Sequence, residues 1–77
     1  MDKPKNVIGR RIREARLAEK PPATQQDISA RLAIDEIYLS DSSISKIERG
    51  TRPVTDIQLL AFAKALKVKA SWLLGEK

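Results

Sequence analysis

A chain of 77 residues with no cysteine and no histidine makes one small domain and lacks the residues for disulfides, for the usual zinc and haem sites, and for Cys-His or Ser-His catalysis. Fifteen lysines and arginines against ten aspartates and glutamates give a net charge of +5, which favours a polyanionic partner such as nucleic acid. No apolar run approaches the roughly 20 residues of a membrane span, and the N-terminus does not resemble a secretory signal, so we expect a cytoplasmic protein.

The first predicted helix covers about residues 7–19. Its apolar residues, Ile8 and Ile12 among them, recur at the spacing of a buried stripe, and Asn6 precedes them as a candidate N-cap. The basic residues on its other faces form either a solvated surface or a flank that contacts phosphate. The segment KPPA ends the helix, because each proline disfavours helical backbone at the residue before it.

The second predicted helix begins at Thr24. The segment TQQD is an imperfect capping box with Asp27 where Glu or Gln is usual, and Ile28 and Leu32 form the buried stripe. The helix ends within ARLAIDEIYLS, whose acidic residues suit a solvated turn. Tyr38 in this segment is a loop anchor, a contact with DNA or part of a partner surface, and the sequence leaves these alternatives open.

The third predicted helix begins at Ser40 or Asp41, both of which are favoured N-cap residues. Ile44 and Ile47 lie three residues apart and face the core. Gly50 follows the helix, as expected for the left-handed position after a C-terminus.

The fourth predicted helix opens with a capping box formed by Thr55 and Gln58. It has the clearest apolar periodicity in the chain, which places four residues in the core. These are Leu59, Phe62, Ala63 and Leu66. A short fifth helix covers about residues 70–74, and its Trp72 is interpreted first as a core residue and second as a neighbour of a dimer contact.

These elements predict an all-α domain over residues 7–74, with short flexible ends at 1–6 and 75–77. Five helices of this length cannot form a long bundle, so we expect them to cross at steep angles around one core. The second and third helices, joined by a turn, match the helix-turn-helix plan, in which the second helix of the pair lies in the major groove of DNA.

The outer face of the third helix carries small polar side chains, which suit a groove about 12 Å wide. The hydroxyl groups of Ser42 and Ser45 both donate and accept hydrogen bonds, and Lys46 reaches far enough to contact guanine O6 and N7. We therefore predict that these three residues face the edges of bases.

Contacts with phosphate supply most of the affinity and set the register of such a complex. The start of the second helix, at Thr24, directs N–H groups and partial positive charge toward a phosphate, and Gln25 adds a side-chain donor. The predicted set of contacts with the DNA backbone is Thr24, Gln25, Ser43, Arg49, Thr51 and Arg52.

Four segments, IGRRIREAR, TQQDIS, SSISKIERG and LLAFAKALKVKASWLL, resemble in order and spacing the lambda-repressor/Cro-like helix-turn-helix domains, the XRE family. The resemblance covers residues 7–74 and implies a five-helix DNA-binding domain, usually of a transcriptional regulator. It also implies that Arg16 pairs with Glu48 and ties the first helix to the third. The base-reading positions it implies are Asp41, Ser42, Ser45 and Lys46.

The sequence departs from the family pattern at three places. The segment LAIDEIYLSD is longer than the common turn and lacks its glycine, which is typical of a subgroup with an enlarged loop between helices two and three. The KPPA linker is long, and Ala23 replaces a usual leucine. Asp41 puts a carboxylate where a neutral or basic residue is usual. The carboxylate either accepts a hydrogen bond from cytosine N4 or caps the helix, and we favour capping.

We therefore expect a protein that binds double-stranded DNA at specific sequences as a bacterial or phage transcriptional regulator. A homodimer on a two-fold symmetric site is expected, and neither catalysis nor a cofactor. The main alternative is an antitoxin or adaptor module whose partner is a protein that contacts the 33–41 loop. A basic amphipathic protein at an anionic membrane is a further alternative. The short, cap-bounded apolar stripes argue against it.

Overall fold

A computed structural model of the protein describes residues 3–76, and within this range the chain forms five α-helices and no β-strand. The helices are α1 (Gly9–Ala18), α2 (Gln25–Ile34), α3 (Asp41–Glu48), α4 (Asp56–Leu66) and α5 (Ala70–Leu73). The all-α, five-helix prediction is confirmed. The parts of the predicted flexible ends at residues 1, 2 and 77 lie outside the described residues. No helix in the described part of the chain has the length and apolarity needed to cross a membrane.

Side-chain caps set the starts of α2 and α4. Thr24 Oγ1 accepts the N–H of Asp27 at 3.0 Å, and Asp27 Oδ2 accepts the N–H of Thr24 at 2.8 Å. Asp27 therefore completes the capping box, although its side chain is shorter than the usual Glu. Thr55 and Gln58 form the equivalent pair at α4, with both hydrogen bonds at 3.1 Å.

The N-cap of α3 is Ser40, which decides between the two predicted candidates. Its Oγ accepts the N–H of Ser43 at 3.1 Å. Asp41 is the first residue inside the helix, and its carboxylate Oδ1 accepts the N–H of Ser42 at 2.8 Å. Both side chains take up N–H groups of the first turn, which lack partners within the helix.

Asn6 fastens the start of α1 to the end of α3. Its Oδ1 accepts the N–H groups of Ile8 and Gly9 at 3.0 and 2.7 Å, so α1 begins later than predicted. Its amide Nδ2 donates to the carbonyls of Ile47 and Arg52 at 3.0 and 2.8 Å. Asn6 lies within the predicted flexible end, and these four hydrogen bonds join it to the domain.

The core is built from the facing sides of all five helices. Trp72 lies partly buried at its edge, with the guanidinium of Arg11 4.9 Å from the ring centroid, and Leu59 is also only partly buried. Ala23, in the linker before α2, is buried against the same core. The largest fully buried side chains are Ile12, Ile28, Leu32, Ile44, Ile47, Phe62 and Leu73.

The loop between α2 and α3, residues 35–40, is closed by backbone geometry and one buried side chain. Glu36 adopts the left-handed conformation, with φ 61°, in the turn where the family pattern has a glycine. Leu39 is buried, and its carbonyl accepts the hydroxyl of Ser29 at 2.6 Å. Leu39 is therefore the anchor of this loop, whereas the side chain of Tyr38 is exposed.

The backbones of α1 and α3 meet at Gly9. A Cβ atom at this position would overlap the carbonyl oxygen of Ile47 and lie 3.0 Å from that of Glu48. Only a residue without a side chain allows this approach, and the approach places α1 directly behind α3.

Candidate nucleic-acid interface

The two sides of α3 have opposite environments. Ile44 and Ile47 are fully buried, whereas Ser42 and Lys46 are exposed and Ser45 is half-buried. Residues three and four positions apart share one helix face. A ligand that approaches α3 from outside therefore meets short hydroxyl groups near the start of the helix and an ammonium group one turn later.

Asp41 is exposed and lies in the first turn of α3. Its Oδ1 accepts the Ser42 N–H at 2.8 Å, so the side chain satisfies one N–H group of the first turn. The same carboxylate repels phosphate. The N-cap itself is Ser40, so Asp41 supports the helix start from inside the first turn, and a contact with a base stays a prediction.

Ser43 and Arg52 are brought together across the ends of α3. Arg52 Nη1 donates to Ser43 Oγ at 2.9 Å, and Ser40 Oγ donates to the same oxygen at 3.1 Å. The bond holds the half-buried Arg52 beside the start of α3. Its guanidinium carries further N–H donors.

Thr51 closes the C-terminal end of α3. Its N–H and its Oγ1 both donate to the carbonyl of Lys46, at 2.9 and 3.1 Å. Gly50, with φ 77°, supplies the left-handed residue between them. This geometry fixes the direction in which the chain leaves α3, with exposed Arg49 and Thr51 at the edge of the polar face.

A buried ion pair joins α1 to α3. Arg16 Nε donates to Glu48 Oε2 at 2.8 Å and Arg16 Nη2 to Glu48 Oε1 at 2.9 Å. Arg16 Nη1 also donates to the carbonyl of Ala23 at 2.9 Å. The hydrogen bonds to Glu48 raise the pKa of Arg16 above its ordinary value, although burial acts in the opposite direction. The guanidinium therefore stays charged and joins α1 to α3 and to the linker before α2.

Gln25 belongs to the same network. Its Nε2 donates to Glu48 Oε1 at 3.2 Å, so the side chain expected to contact phosphate also orients the carboxylate. Nothing in the local sequence signals this bond, because Gln25 and Glu48 meet only through the packing of α2 on α3.

A polar cleft lies over Glu48, between α1, α2 and α3. It is lined by Gln25 and Ser45 and by two exposed arginines, Arg13 and Arg49. Because Arg16 neutralises Glu48, the remaining charge of the cleft is positive. Arg13 was not among the predicted site residues. Its position one turn before Arg16 on the same helix face was the available signal.

The start of α2 contributes less positive charge than its position suggests. The N–H of Thr24 lowers the pKa of Asp27, mainly through the backbone hydrogen bond, so this carboxylate is ionised. A full negative charge outweighs the half charge at a helix N-terminus. The attraction for an anion here therefore comes chiefly from Arg13 and Arg49, with N–H groups of the first turn as donors.

One comparison with known proteins gives a match. A family model described as helix-turn-helix matches residues 24–73, well over half of the chain and all of α2 to α5. No match is found among curated proteins or among solved structures.

Proposed function

Because the chain belongs to the helix-turn-helix family of the XRE type, a family of DNA-binding domains, we propose that it is a sequence-specific transcriptional regulator of bacterial or phage origin. The observation that carries the proposal is the outward polar face of α3, with Ser42, Ser45 and Lys46 opposite two buried isoleucines. In the proposed complex α3 enters the major groove and α2 lies across its mouth.

The proposed contacts divide into two sets. Ser42, Ser45 and Lys46 read base edges, together with Asp41 if cytosine N4 lies opposite it. Phosphates are bound on both sides of the groove. The proposed backbone set is Thr24, Gln25, Ser43, Arg49, Thr51 and Arg52, to which the cleft adds Arg13. Arg16 and Glu48 hold α3 in place and do not touch DNA.

Two copies are required for selectivity, because one module reads few base pairs. We propose a homodimer on a two-fold site whose half-sites lie about 34–36 Å apart. Selection of binding sites from random duplex DNA tests the whole proposal. A palindromic consensus is the expected result, and the absence of any enriched sequence would refute sequence-specific binding.

A second candidate function is an antitoxin or adaptor module. It is favoured by the end of α2 and the loop that follows it, where Ile34 and Tyr38 are 82% and 77% exposed. Large apolar side chains in contact with water are typical of a partner surface when they cluster. A pull-down of a toxin-like protein that is lost in Ile34→Ser and Tyr38→Ser variants, with a change in DNA affinity on binding, would support this function.

Lys46→Ala is expected to change the preferred base at one operator position and to cost about 1–3 kcal/mol on the best site. The ammonium group lies on the exposed face of α3, where it can reach guanine acceptors. Selected consensus sequences and dissociation constants of both proteins measure the effect. Lys69→Ala removes the same charge from the exposed start of α5 and should leave the preference unchanged. Identical discrimination in Lys46→Ala would remove this residue from the base-reading set.

Arg52→Ala is expected to weaken binding to all duplexes alike and to lower the slope of log affinity against log salt by about one. The residue is held at the edge of α3 by Ser43, where a phosphate can release a counterion. Titrations at several salt concentrations give the slope. Arg52→Lys keeps the charge and should keep the slope. If Arg52→Ala keeps it too, Arg52 does not contact phosphate.

A further inference from the structure

The outer face of α4 exposes two large apolar side chains that no other element within residues 3–76 covers. Ile57 and Leu60 are 64% and 63% exposed and lie three residues apart, so they are neighbours on the helix surface. The opposite side of α4 is buried in the core through Phe62 and Leu66. Adjacent, well-exposed apolar side chains on one helix face are typical of a contact surface.

Charged residues flank this pair in a symmetric order. Asp56 lies at the N-terminal end of the outer face and Lys64 at its C-terminal end, with Leu60 midway between them. The face therefore complements itself: in an antiparallel arrangement Asp56 of each copy lies opposite Lys64 of the other. Leu60 then lies beside Leu60 of the second copy at the two-fold axis.

We propose that the outer face of α4, defined by Asp56, Ile57, Leu60 and Lys64, is the contact between two copies of this chain. The inference deepens the proposed function, because it assigns a surface to the second copy that a two-fold DNA site requires. Lys64 also donates to Asp35 Oδ1 within its own chain at 2.9 Å. The exposed ammonium group has three donors, so it can bind both carboxylates.

The position of α4 suits this arrangement. Thr55 and Gln58 line one cleft with Lys46 and Arg52, so the start of α4 lies beside the exit of α3. Contact through α4 places the two copies of α3 on opposite sides of one axis. A single pair of helices of this length buries less surface than the 1,200–2,000 Å² typical of stable complexes. The association is therefore weak in free solution and strengthens when both copies bind one duplex.

Cross-linking through a single thiol tests the contact without DNA. The chain has no cysteine, so Leu60→Cys introduces the only one, and residues that meet at a two-fold axis lie within disulfide range. We expect Cys at position 60 to form covalent dimers at least about tenfold faster than Cys placed at the more exposed Val7, which reports random collision. Equal rates would overturn the proposal.

Charge reversal distinguishes the proposed register from other contacts. In the Leu60→Cys background, Asp56→Lys and Lys64→Glu each place like charges opposite one another and should slow cross-linking about tenfold. A mixture of the two variants restores both attractions and should recover the rate as mixed dimers. Circular dichroism verifies that each variant is folded. A mixture no faster than either variant alone would overturn the antiparallel register.

The outcome is independent of the test of DNA binding. If Cys at position 60 cross-links rapidly and no duplex is selected, the dimer stands and the proposed function fails. If a palindromic site is selected and cross-linking stays at the collision rate, the function stands and the two copies meet elsewhere or only through DNA.

Discussion

Gly9→Ala is expected to lower the free energy of unfolding by about 3 kcal/mol or more. The added Cβ overlaps the carbonyl oxygen of Ile47 and lies 3.0 Å from that of Glu48. Both obstacles are backbone atoms, which cannot rotate away as a side chain can. α1 must therefore move off α3, which disturbs the packing of Ile12 and the Arg16–Glu48 ion pair. Urea unfolding followed by circular dichroism gives the shift in midpoint.

The expected direction of the change distinguishes a backbone clash from an effect of helix propensity. Alanine in place of glycine within a helix normally stabilises by about 0.5–1 kcal/mol, so helix propensity predicts the opposite result. Arg10→Ala is the matched control, since it changes the exposed neighbour in the same helix and should stay within about 0.5 kcal/mol of the parent. A neutral or more stable Gly9→Ala protein would mean that the backbones of α1 and α3 do not touch at this residue.

Local signals explain why the helices could be predicted from the sequence. The capping boxes at Thr24 and Thr55 involve residues only three positions apart, and each is formed as expected. The start of α1 was placed too early, because Asn6 takes up the first N–H groups itself while bonding to Ile47 and Arg52 far along the chain. No local pattern contains that information.

The same distinction holds for the candidate site. The spacing of Ile44 and Ile47 correctly predicted which side of α3 is buried, and hence that Ser42 and Lys46 face outward. The partners of the polar residues could not be predicted, because they are set by how the helices pack. Gln25 bonds to Glu48 across the α2–α3 contact.

The loop between α2 and α3 shows how the chain turns without the glycine of the family pattern. The turn that follows α2 lacks the usual glycine. Glu36 adopts the left-handed conformation there, which costs an L residue roughly 1–2 kcal/mol. The burial of Leu39 and the bond from Ser29 hold the loop against this cost. The sequence pattern does not reveal that Glu36 takes the place of the glycine, because the contacts that offset its cost are tertiary.

Glu48→Ala is expected to cost about 3–5 kcal/mol of stability, because it leaves the charged guanidinium of Arg16 buried without its partner. The raised pKa of Arg16 means that its contribution is present below the ordinary arginine pKa and is lost only as the pH rises through the higher folded-state value. Arg16 therefore cannot escape the penalty by losing its proton at neutral pH. Urea unfolding at pH 7 measures the loss.

The chain contains a matched control for the effect of burial. Arg31 binds Glu19 through two hydrogen bonds of 2.7 and 2.8 Å and donates a third to the carbonyl of Ala65, much as Arg16 binds Glu48 and Ala23. The number of hydrogen bonds is the same, although Arg16 binds its carboxylate through Nε and Nη2 and Arg31 through Nη1 and Nη2. The side chains of Arg31 and Glu19 are 36% and 31% exposed, against 11% and 4% for Arg16 and Glu48. Glu19→Ala should therefore cost no more than about 1 kcal/mol.

A double-mutant cycle separates the value of the Arg16–Glu48 pair from the penalty for breaking it. Arg16→Met alone leaves the buried carboxylate of Glu48 without a counter-charge, with only the hydrogen bond from Gln25, so it should cost about as much as Glu48→Met alone. The double variant removes both charges and should recover at least about 2 kcal/mol of the summed losses. Additive losses of stability in the double variant would show that Arg16 and Glu48 act independently. Equal losses in Glu48→Ala and Glu19→Ala would show that burial does not determine how much an ion pair contributes to stability. If the two residues are coupled, the folded double variant should bind DNA more weakly only to the extent that α3 is displaced. Neither Arg16 nor Glu48 is proposed to contact DNA.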